Sequence, residues 1–487
     1  MFQQDLSAHP QLFAFSYRDL VPEDSDVWLY VDLFSQLDLS EFSEDYSSQG
    51  GEAKAPEMML RTIFYGLTHG IVSGNKLSDL CRYDNRFILL SGCRTTDPRT
   101  FHRFLVRHET RLKQLFTEIV RLAQKMGLVK LGRVAIDGSK FKAATSKHKA
   151  MSYGRMVKAI EQLNKELSEL KKSLSEANKK EATNLSETLP EEIRRREKRL
   201  QKIQKAKAAL EREKGVALKE KDQKSFNDHD ALPLGGKGKE FKYGYNCQAV
   251  VDSENQIIVA AELHDNQNDA GVIGKLLDTM EENCKGKAEK ALADSGYGSF
   301  DDIQAVESRQ TEAFIALGKG EFSGEENYAD QLRAGEKENE FSCPAGKLLP
   351  VKTKHRDGMT SLYLPDDFCA GCHFSEKCKV KARAKSRVKA PLKLHNREKH
   401  KKIQAHRQRM RSEKAKEIYK SRKAIVEPVF GNIKNKGMKI LLKGRKKVSL
   451  WWKMSATAHN LEKIVKHLKA PPRVSASAGS DWPLISG

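Results

Sequence analysis

The sequence predicts an α/β domain with a mixed sheet, preceded by an all-α region and interrupted by two insertions. Three observations predict this fold class. Apolar residues at helical spacing fill the block from 56 to 127. Five short apolar or β-branched runs follow, and helical patterns separate the last three of them. The resulting order, β-β-β-α-β-α-β, is typical of a mixed sheet covered by helices.

The N-terminal block reads as several short helices. The first is predicted from Pro56, a residue that suits the first position of a helix. A second short helix starts at Ser73, a residue type that favours an N-cap. A third follows Asp97 and Pro98, an N-cap residue and a first-turn residue in succession. These signals predict a compact helical unit.

Basic residues lie along the third helix, Arg99 and Arg103 among them. Several short helices with arginines on one of them suit a helix-turn-helix-like DNA-binding domain, which we place at residues 51–128. A plain helical bundle fits the pattern equally well, because the helix-turn-helix has no strict sequence signature. The preceding residues 1–50 form an acidic segment, with ten acids against one base.

The strand candidates share a β-branched or apolar composition and end at turn-forming residues. They are, in chain order, GRVAID (132–137), YNCQAVVD (245–252), QIIVAAELH (256–264), KALAD (290–294) and EAFIAL (312–317). Helical patterns lie between the third and fourth candidates and between the fourth and fifth. We place the whole predicted mixed-sheet domain, with its insertions, at residues 129–466.

Two insertions interrupt this region. The first, residues 150–220, carries Leu and Ile at alternating spacings of four and three in two arms, separated by ATNLSETLPEE. This pattern favours an antiparallel coiled-coil hairpin with an architectural or oligomeric role. The second insertion, residues 320–400, is rich in cysteine. The tail, residues 467–487, has the composition of a disordered segment.

Four cysteines of the second insertion are grouped, Cys343, Cys369, Cys372 and Cys378. Two thiolates three positions apart can chelate one ion, and four thiolates complete the tetrahedral shell of a structural Zn²⁺. Because the spacing of the group is irregular, reduced structural cysteines are the alternative. The remaining cysteines, which we expect in the core, are Cys81, Cys93, Cys247 and Cys284.

Two aspartates stand at the ends of strand candidates. Asp137 ends the first strand and Asp294 ends the fourth. Carboxyl ends of neighbouring strands are where sites form in such sheets, and two close carboxylates repel each other unless cations lie between them. Mg²⁺ is the expected cation, since it prefers oxygen ligands. The alternative is that each aspartate is only a turn residue beside a small neighbour.

The chain of 487 residues carries a formal net charge of +22. This excess favours a polyanionic partner such as double-stranded DNA, because neutralised phosphates release counterions; a solvated basic surface is the alternative. No apolar run reaches the roughly 18 residues of a membrane span. The N-terminal residues lack the pattern of a signal peptide. We therefore expect a cytoplasmic protein without a membrane partner.

Five segments occur in a fixed order along the chain, VAIDGSKFKA, SKHKAMSYGRM, YGYNCQAVVD, ALADSGY and YKSRKAIVEPVFGNIK. Together they resemble the successive blocks of bacterial insertion-sequence DDE transposases. Residues 56–127 similarly resemble the InsH-type N-terminal domain found ahead of such catalytic domains. The resemblance covers about residues 15–466, and it implies a ribonuclease H-like fold for the mixed sheet.

Residue by residue, the resemblance implies an acidic triad of Asp137, Asp294 and Glu427 that binds two Mg²⁺ or Mn²⁺ ions. It also implies that Tyr419, Arg422 and Lys434 lie around the glutamate at the DNA. In one respect the sequence departs from the better-studied relatives: four residues separate Arg422 from Glu427, where those relatives have three. The two side chains therefore do not share a face of a regular helix.

Pro428 follows the glutamate directly. A proline inside a helix bends or breaks it, and the residue before a proline avoids the helical region. A bend beside Glu427 could therefore bring it and Arg422 together.

The resemblance implies a transposase that binds the terminal inverted repeats of its insertion sequence and a target duplex. It would cleave and join DNA strands by two-metal phosphoryl transfer, as a homo-oligomer on paired ends, in the bacterial cytoplasm at the nucleoid. A catalytically inactive relative that only binds DNA is the alternative. A nuclease without strand transfer is a third possibility.

Overall fold

The computed structural model describes residues 17–469 except 45, 47–52, 180–182, 236–240, 319–330, 338–339, 350, 355–358, 363–366, 375, 379, 382–391 and 396. Three parts can be distinguished within these residues: an N-terminal group of helices, a mixed sheet with its covering helices, and two insertions. Most of the predicted disordered tail and the first 16 residues of the acidic segment lie outside the described residues.

The N-terminal group consists of short helices that start where the sequence supplies a helix-starting residue. They are α1 Val27–Ser35, α2 Ser40–Ser43, α3 Pro56–Thr68, α4 Gly74–Tyr83, α5 Asn85–Leu90, α6 Pro98–Arg107 and α7 Glu109–Lys125. Pro56 is the first residue of α3, and the Asp97 side chain accepts a hydrogen bond from the Arg99 amide (2.7 Å) at the start of α6. The three helix starts predicted from the sequence are confirmed.

The acidic N-terminal segment contains a helix that its composition did not predict. In α1, Val27, Tyr30 and Phe34 are buried although charged residues surround them in sequence. The Tyr30 ring packs edge-on against Tyr65 of α3, with ring centroids 5.1 Å apart. The segment is therefore anchored in the core by its few apolar residues.

The sheet has six strands in the described residues. They are β1 Arg133–Lys142, β2 Leu232–Leu234, β3 Lys242–Asp252, β4 Ile258–His264, β5 Lys290–Ala293 and β6 Glu312–Ile315. The central strand β1 pairs antiparallel with β3 and parallel with β5. Strand β6 extends the parallel side, and β4 and β2 pair antiparallel with β3. The predicted mixed sheet is confirmed; only the short strand β2 was not predicted.

The first insertion is a hairpin of two long helices, α8 Tyr153–Lys179 and α9 Thr183–Lys214. The Tyr153 hydroxyl donates to Glu211 (2.8 Å), and Arg196 Nε donates to Glu166 (2.9 Å), which places the two helices antiparallel as predicted. The predicted break was too long, because α9 begins at Thr183 and runs through Pro190. Buried apolar residues hold the two helices together.

Five helices of eight or more residues follow the hairpin in the described part of the chain. They are α10 Ile273–Cys284, α11 Phe300–Glu307, α12 Arg397–Met410, α13 Glu413–Asn435 and α14 Arg445–Lys469. Strand β3 is buried at ten of its eleven positions, so both faces of the sheet are covered at its centre. Trp452 of α14 is fully buried, and its indole N–H donates to the Gln248 carbonyl (2.9 Å). Trp452 is therefore a packing residue.

One hydrophobic core joins the N-terminal helices to the sheet. Phe64 of α3, Leu115 of α7, Val250 of β3 and Leu461 of α14 are all fully buried members of it. Since α14 packs against α7 and α3 as well as β4, the last helix connects the two parts. The domain boundary that we predicted at residue 128 does not divide this core, because buried residues on both sides of it belong to one cluster.

The cysteine-rich insertion has small ladders and a core of its own. The short strands are Arg333–Ala334 paired with Phe341–Ser342, and Met359–Leu362 between Val351–Lys354 and Leu392–His395. The buried residues of its core are Leu332, Phe341, Leu349, Leu362 and Val380. A separate small core is consistent with an insertion that folds beside the sheet.

One of the four cysteines expected in the core is not there. Cys81, Cys247 and Cys284 are buried, but Cys93 is exposed. Cys93 has a φ of 60° in the turn that follows α5, so its side chain is not on the apolar face of a helix. None of the helices in the described residues is both long and apolar enough to cross a membrane.

Buried His459 of α14 makes the fold sensitive to acid. Its Nε2–H donates to the Gln256 carbonyl (2.9 Å), and burial lowers the pKa of the imidazole to about 4. The unfolded chain, with an ordinary histidine pKa, binds a proton that the folded chain does not bind over the window between these values. The stabilising contribution is therefore lost as the pH falls through that window.

We predict that lowering the pH from 7 to 5 removes about 2 kcal/mol of unfolding free energy through His459 alone. His459→Gln, which keeps an N–H donor but does not titrate, should flatten the pH dependence by that amount. Chemical denaturation at the two pH values measures the difference. Equal slopes for the variant and the wild type would show that His459 does not titrate as described.

Candidate functional site

Two carboxylates lie side by side at the centre of the sheet. Asp294 directly follows β5, where Ala293 is in parallel register with Ile136. The prediction that Asp137 ends the first strand is wrong, because β1 continues to Lys142 through its antiparallel pairing with β3. Asp137 lies instead directly after the part of β1 that pairs with β5. The Asp294 carboxylate also accepts a hydrogen bond from the Gly296 amide (2.8 Å), which orients it at the strand end. The parallel pairing of β1 and β5 therefore brings the two predicted aspartates together.

A buried arginine faces the first of these carboxylates. Arg422 Nη1 lies 3.3 Å from Asp137 Oδ2, and the Arg422 side chain is only 8% exposed. Burial raises the pKa of the Asp137 carboxyl, the Arg422 guanidinium opposes this rise, and the Asp294 carboxylate adds to it. Within the described part of the chain, Arg422 Nε has no hydrogen-bond partner. The guanidinium therefore keeps an unused donor beside the carboxylate pair.

Tyr419 and Lys434 lie on α13 on either side of Arg422 in the sequence. The Tyr419 ring centroid is 5.9 Å from the Arg422 guanidinium carbon, and burial raises the pKa of the Tyr419 phenol. Lys434 is exposed, and its Nζ is 5.6 Å from the ring centroid of Phe141 in β1. Both residues lie near the strand that carries Asp137, and their position around Glu427 at the DNA stays a prediction.

Glu427 lies on the exposed side of α13, whereas Arg422 is buried. The two residues therefore do not share a face, which agrees with their spacing. Helix α13 continues through Pro428, and the convergence of Glu427 and Arg422 that a bend beside the proline could give is not present. The Ala424 carbonyl, which the proline cannot bind because it has no N–H, accepts a hydrogen bond from the Gln256 side-chain amide (2.9 Å).

Asp137 and Asp294 fit a divalent cation, because they offer adjacent oxygen donors of the kind that Mg²⁺ and Mn²⁺ prefer. In the ranges that the structure describes, no three His, Cys, Asp or Glu side chains form a group able to hold a metal ion. Glu427 does not join the two aspartates in this conformation. Its role as the third ligand stays a prediction.

Sequence reasoning missed a buried polar network beside the two aspartates. The Gln248 side chain is fully buried, and its Nε2 donates to Asn246 (2.9 Å) and to Asp269 (2.9 Å). Asn246 Nδ2 donates to the same Asp269 oxygen (2.7 Å). The buried Tyr297 hydroxyl donates to Gln248 Oε1. Burial strongly raises the pKa of Tyr297, and the carboxylates of Asp269, Asp137 and Asp294 add to the rise.

The network had a signal in the sequence. Asn246 and Gln248 alternate with apolar residues in a strand that is otherwise apolar, so both point to one face of β3. The facing position on β1 is Gly138, which is paired with Gln248. A Cβ at residue 138 would lie 2.2 Å from Gln248 Nε2. Gly138 therefore leaves room for the glutamine directly behind Asp137.

The four grouped cysteines line one small pocket together with apolar residues, among them Phe368 and Phe374. Burial raises the pKa of the Cys369 thiol, and the neighbouring Cys378 adds to the rise. The structure brings the four predicted thiols to one place. In this part of the chain, as in the other described residues, they do not form a group able to hold a metal ion.

Helix α6 presents its basic residues to solvent. Arg99 and Arg103 are exposed, while Phe101 and Phe104 on the other side of the helix are buried. Two surface clefts meet at this helix, and Arg103 lines both of them. The predicted DNA-binding arginines are therefore accessible on one helix face.

Two family models match the chain. A transposase DDE domain matches residues 342–465, and a transposase domain of the DUF772 type matches residues 15–107. No curated protein and no solved structure matches it significantly. The first match contains Glu427 and the second contains Arg99 and Arg103. The resemblance drawn from the sequence is confirmed.

We predict that Gly138→Ala destabilises the fold by about 1–3 kcal/mol, because the added methyl group must displace Gln248 from a packed site. Gly132→Ala is the matched control, since nothing lies within 4 Å of a Cβ built there. The midpoints of chemical denaturation of the two variants measure the difference. Equal midpoints would contradict the close packing of Gln248 against β1.

Proposed function

We propose that this insertion-sequence DDE transposase binds the terminal inverted repeats of its own element, and then cuts and joins DNA strands at Asp137, Asp294 and Glu427. The observation that carries the proposal is the adjacent pair of carboxylates at the parallel β1–β5 pairing, with the buried Arg422 guanidinium beside it. The proposal combines this geometry with the two transposase family models that match the chain.

The proposed catalytic core is ribonuclease H-like. Its five long strands have the spatial order β4-β3-β1-β5-β6, with β1, β5 and β6 parallel. This order supports the proposal, because it puts the first and fourth strands of the predicted series side by side, and α13 packs over both. The carboxylates at these strands then face one helix that carries the third acid.

Mg²⁺ or Mn²⁺ ions, when bound at these carboxylates, would supply activation of the attacking oxygen and stabilisation of the leaving oxygen. Asp137 and Asp294 provide ligands from the sheet. The Glu427 side chain, which makes no hydrogen bond or ion pair within the described residues, would complete the set from α13. Burial raises the pKa of Asp137, and the Arg422 guanidinium opposes this rise only in part.

The proposed roles of Arg422, Lys434 and Tyr419 concern the DNA. Arg422 pairs with Asp137 beside the carboxylates, and its guanidinium is proposed to hold a phosphate oxygen at the point of cleavage. Lys434 is exposed above β1 and would contact the backbone nearby. Tyr419 stacks on the guanidinium and restricts its movement. The basic residues of α12 extend this surface along the chain.

The exposed arginines Arg99 and Arg103 of α6 are proposed to bind the inverted repeats. Because transposition pairs two ends, we also propose a homo-oligomer on DNA, located at the bacterial nucleoid. Residues 51–128 would then serve end binding and residues 129–466 catalysis, with the hairpin of residues 150–220 supporting assembly.

One observation favours a second candidate function. Glu427 does not join the aspartates in the described conformation, which is the arrangement expected of a relative that occupies the ends without cutting them. Incubation with a divalent metal and a duplex carrying the inverted repeat separates the functions. A transposase gives joined products, a DNA-binding protein gives bound but uncut duplex, and a nuclease gives cut ends that are never joined.

We predict that Asp137→Asn abolishes cleavage of the inverted-repeat duplex but leaves its binding intact, because the change removes a carboxylate without altering the shape of the side chain. The double variant Arg99→Ala, Arg103→Ala should show the opposite: end binding is lost. Gel shift and strand-cleavage assays on the same duplex measure both. Cleavage by Asp137→Asn at the wild-type rate would exclude the assignment.

We further propose that Cys343, Cys369, Cys372 and Cys378 hold a structural Zn²⁺. The support is that all four thiols line one pocket and that sulfur donors in fours suit this ion. The expected result is about one zinc per chain in protein purified without chelator. Cys372→Ser should lower that content, whereas Cys93→Ser, at an exposed cysteine outside the pocket, should not. Wild-type protein without zinc would contradict the site.

A further inference from the structure

The turn between β3 and β4 contains Gln256, whose side-chain amide nitrogen and amide oxygen are both hydrogen-bonded. Gln256 has a φ of 59°, so the chain makes a sharp change of direction at this residue. Its Nε2 donates to the Ala424 carbonyl of α13 (2.9 Å). Its Oε1 accepts from Lys463 Nζ of α14 (2.7 Å). Because an ammonium group only donates, the lysine fixes which end of the amide faces α13.

The turn is itself held firmly by α14. The Gln256 carbonyl accepts from His459 Nε2 (2.9 Å). Asn460 Oδ1 accepts from the Ile258 amide, and Asn460 Nδ2 donates to the Ile258 carbonyl, both at 2.8 Å. His459 and Asn460 are buried. The side chain of Gln256 therefore projects from a fixed support rather than from a loose loop.

The carbonyl that Gln256 binds is the one that Pro428 leaves without a donor. In a regular helix the amide of residue 428 would donate to the carbonyl of residue 424, but proline has no N–H. Helix α13 nevertheless continues through Pro428. The Gln256 amide supplies the missing hydrogen bond from outside the helix. The carbonyl that it binds lies three residues before Glu427.

We propose that Gln256 is a positioning residue for Glu427: it holds α13 in helical form at Pro428 and so sets the direction in which the glutamate leaves the helix. This inference rests on the proposed function, in which Glu427 serves the site of Asp137. Within the described residues, the Gln256 side chain makes hydrogen bonds to Ala424 and Lys463 and not to the carboxylates. It acts through the backbone of α13.

The test is a double-mutant cycle in the full-length protein. Gln256→Glu keeps the length of the side chain and an oxygen for Lys463, but it places an acceptor against the Ala424 carbonyl. Pro428→Ala restores an N–H that can bind the same carbonyl within the helix. Asn255→Asp is the matched control, because Asn255 donates from the same turn to the Leu128 carbonyl (3.1 Å) and not to α13.

Two readouts are needed. In metal-free protein, Gln256→Glu should speed amide hydrogen exchange in the 424–432 segment of α13 by about tenfold, since one backbone hydrogen bond is lost. In the cleavage assay with Mg²⁺ and the inverted-repeat duplex, it should raise the Mg²⁺ concentration for half-maximal cleavage, with end binding unchanged. The double variant should return to within about threefold of Pro428→Ala alone in both readouts.

A double variant as defective as Gln256→Glu would overturn the proposal, as would Asn255→Asp if it changed α13 exchange and Mg²⁺ dependence equally. Glu427→Gln, assayed in parallel, separates the two levels of inference. If Glu427→Gln cleaves like the wild type, the proposed role of Glu427 fails and the positioning role fails with it. If Glu427→Gln is inactive and Gln256→Glu matches the wild type, only the positioning role fails.

Discussion

The partial burial of two neighbouring carboxylates is the constraint on which the rest of the site depends. The parallel pairing of β1 with β5 puts Asp137 beside Asp294 in a largely buried place, where their charges are costly. The buried Arg422 balances part of that charge. Gly138 leaves room for Gln248 behind the pair, and Gln248 in turn binds Asp269 and Tyr297. Such a pair needs positive charge at that point, which Arg422 supplies in part and which, in the proposed function, divalent cations supply when they bind.

Helix α13 connects this pair to the rest of the molecule. Arg422 lies on the buried side of this helix, in contact with Asp137, and Glu427 lies on its exposed side. The proline next to the glutamate would ordinarily weaken the helix at that point, and the hydrogen bond from Gln256 offsets this weakness from the β3–β4 turn. Helix α14 holds that turn and also packs on the N-terminal helices. The same helix therefore contacts both parts of the chain.

Much of this arrangement can be predicted from the sequence. β-Branched and apolar runs predicted the five strands and placed Asp294 directly after β5, because strand signals are local. Asp137, predicted at the end of the first strand, lies in the middle of β1, because polar residues after it still pair with β3. Helix α1 could not be predicted from an acidic composition, since its few apolar residues are stabilised by tertiary contacts such as Tyr30 on Tyr65. The continuity of α13 at Pro428 was also missed, because the donor that preserves it comes from a residue far away in sequence. Cys93 is exposed because its turn geometry outweighs its apolar neighbours.

The central claim is that Asp137, Asp294 and Glu427 surround one divalent-metal site. The most direct measurement replaces Mg²⁺ with Fe²⁺ on the full-length protein bound to an inverted-repeat duplex, and maps where iron-generated hydroxyl radicals cut the polypeptide. The account predicts cuts close to residues 137 and 294 and within α13 near residue 427, all suppressed by excess Mg²⁺. Cuts at the two aspartates with none in α13, or cuts that Mg²⁺ does not suppress, would contradict it.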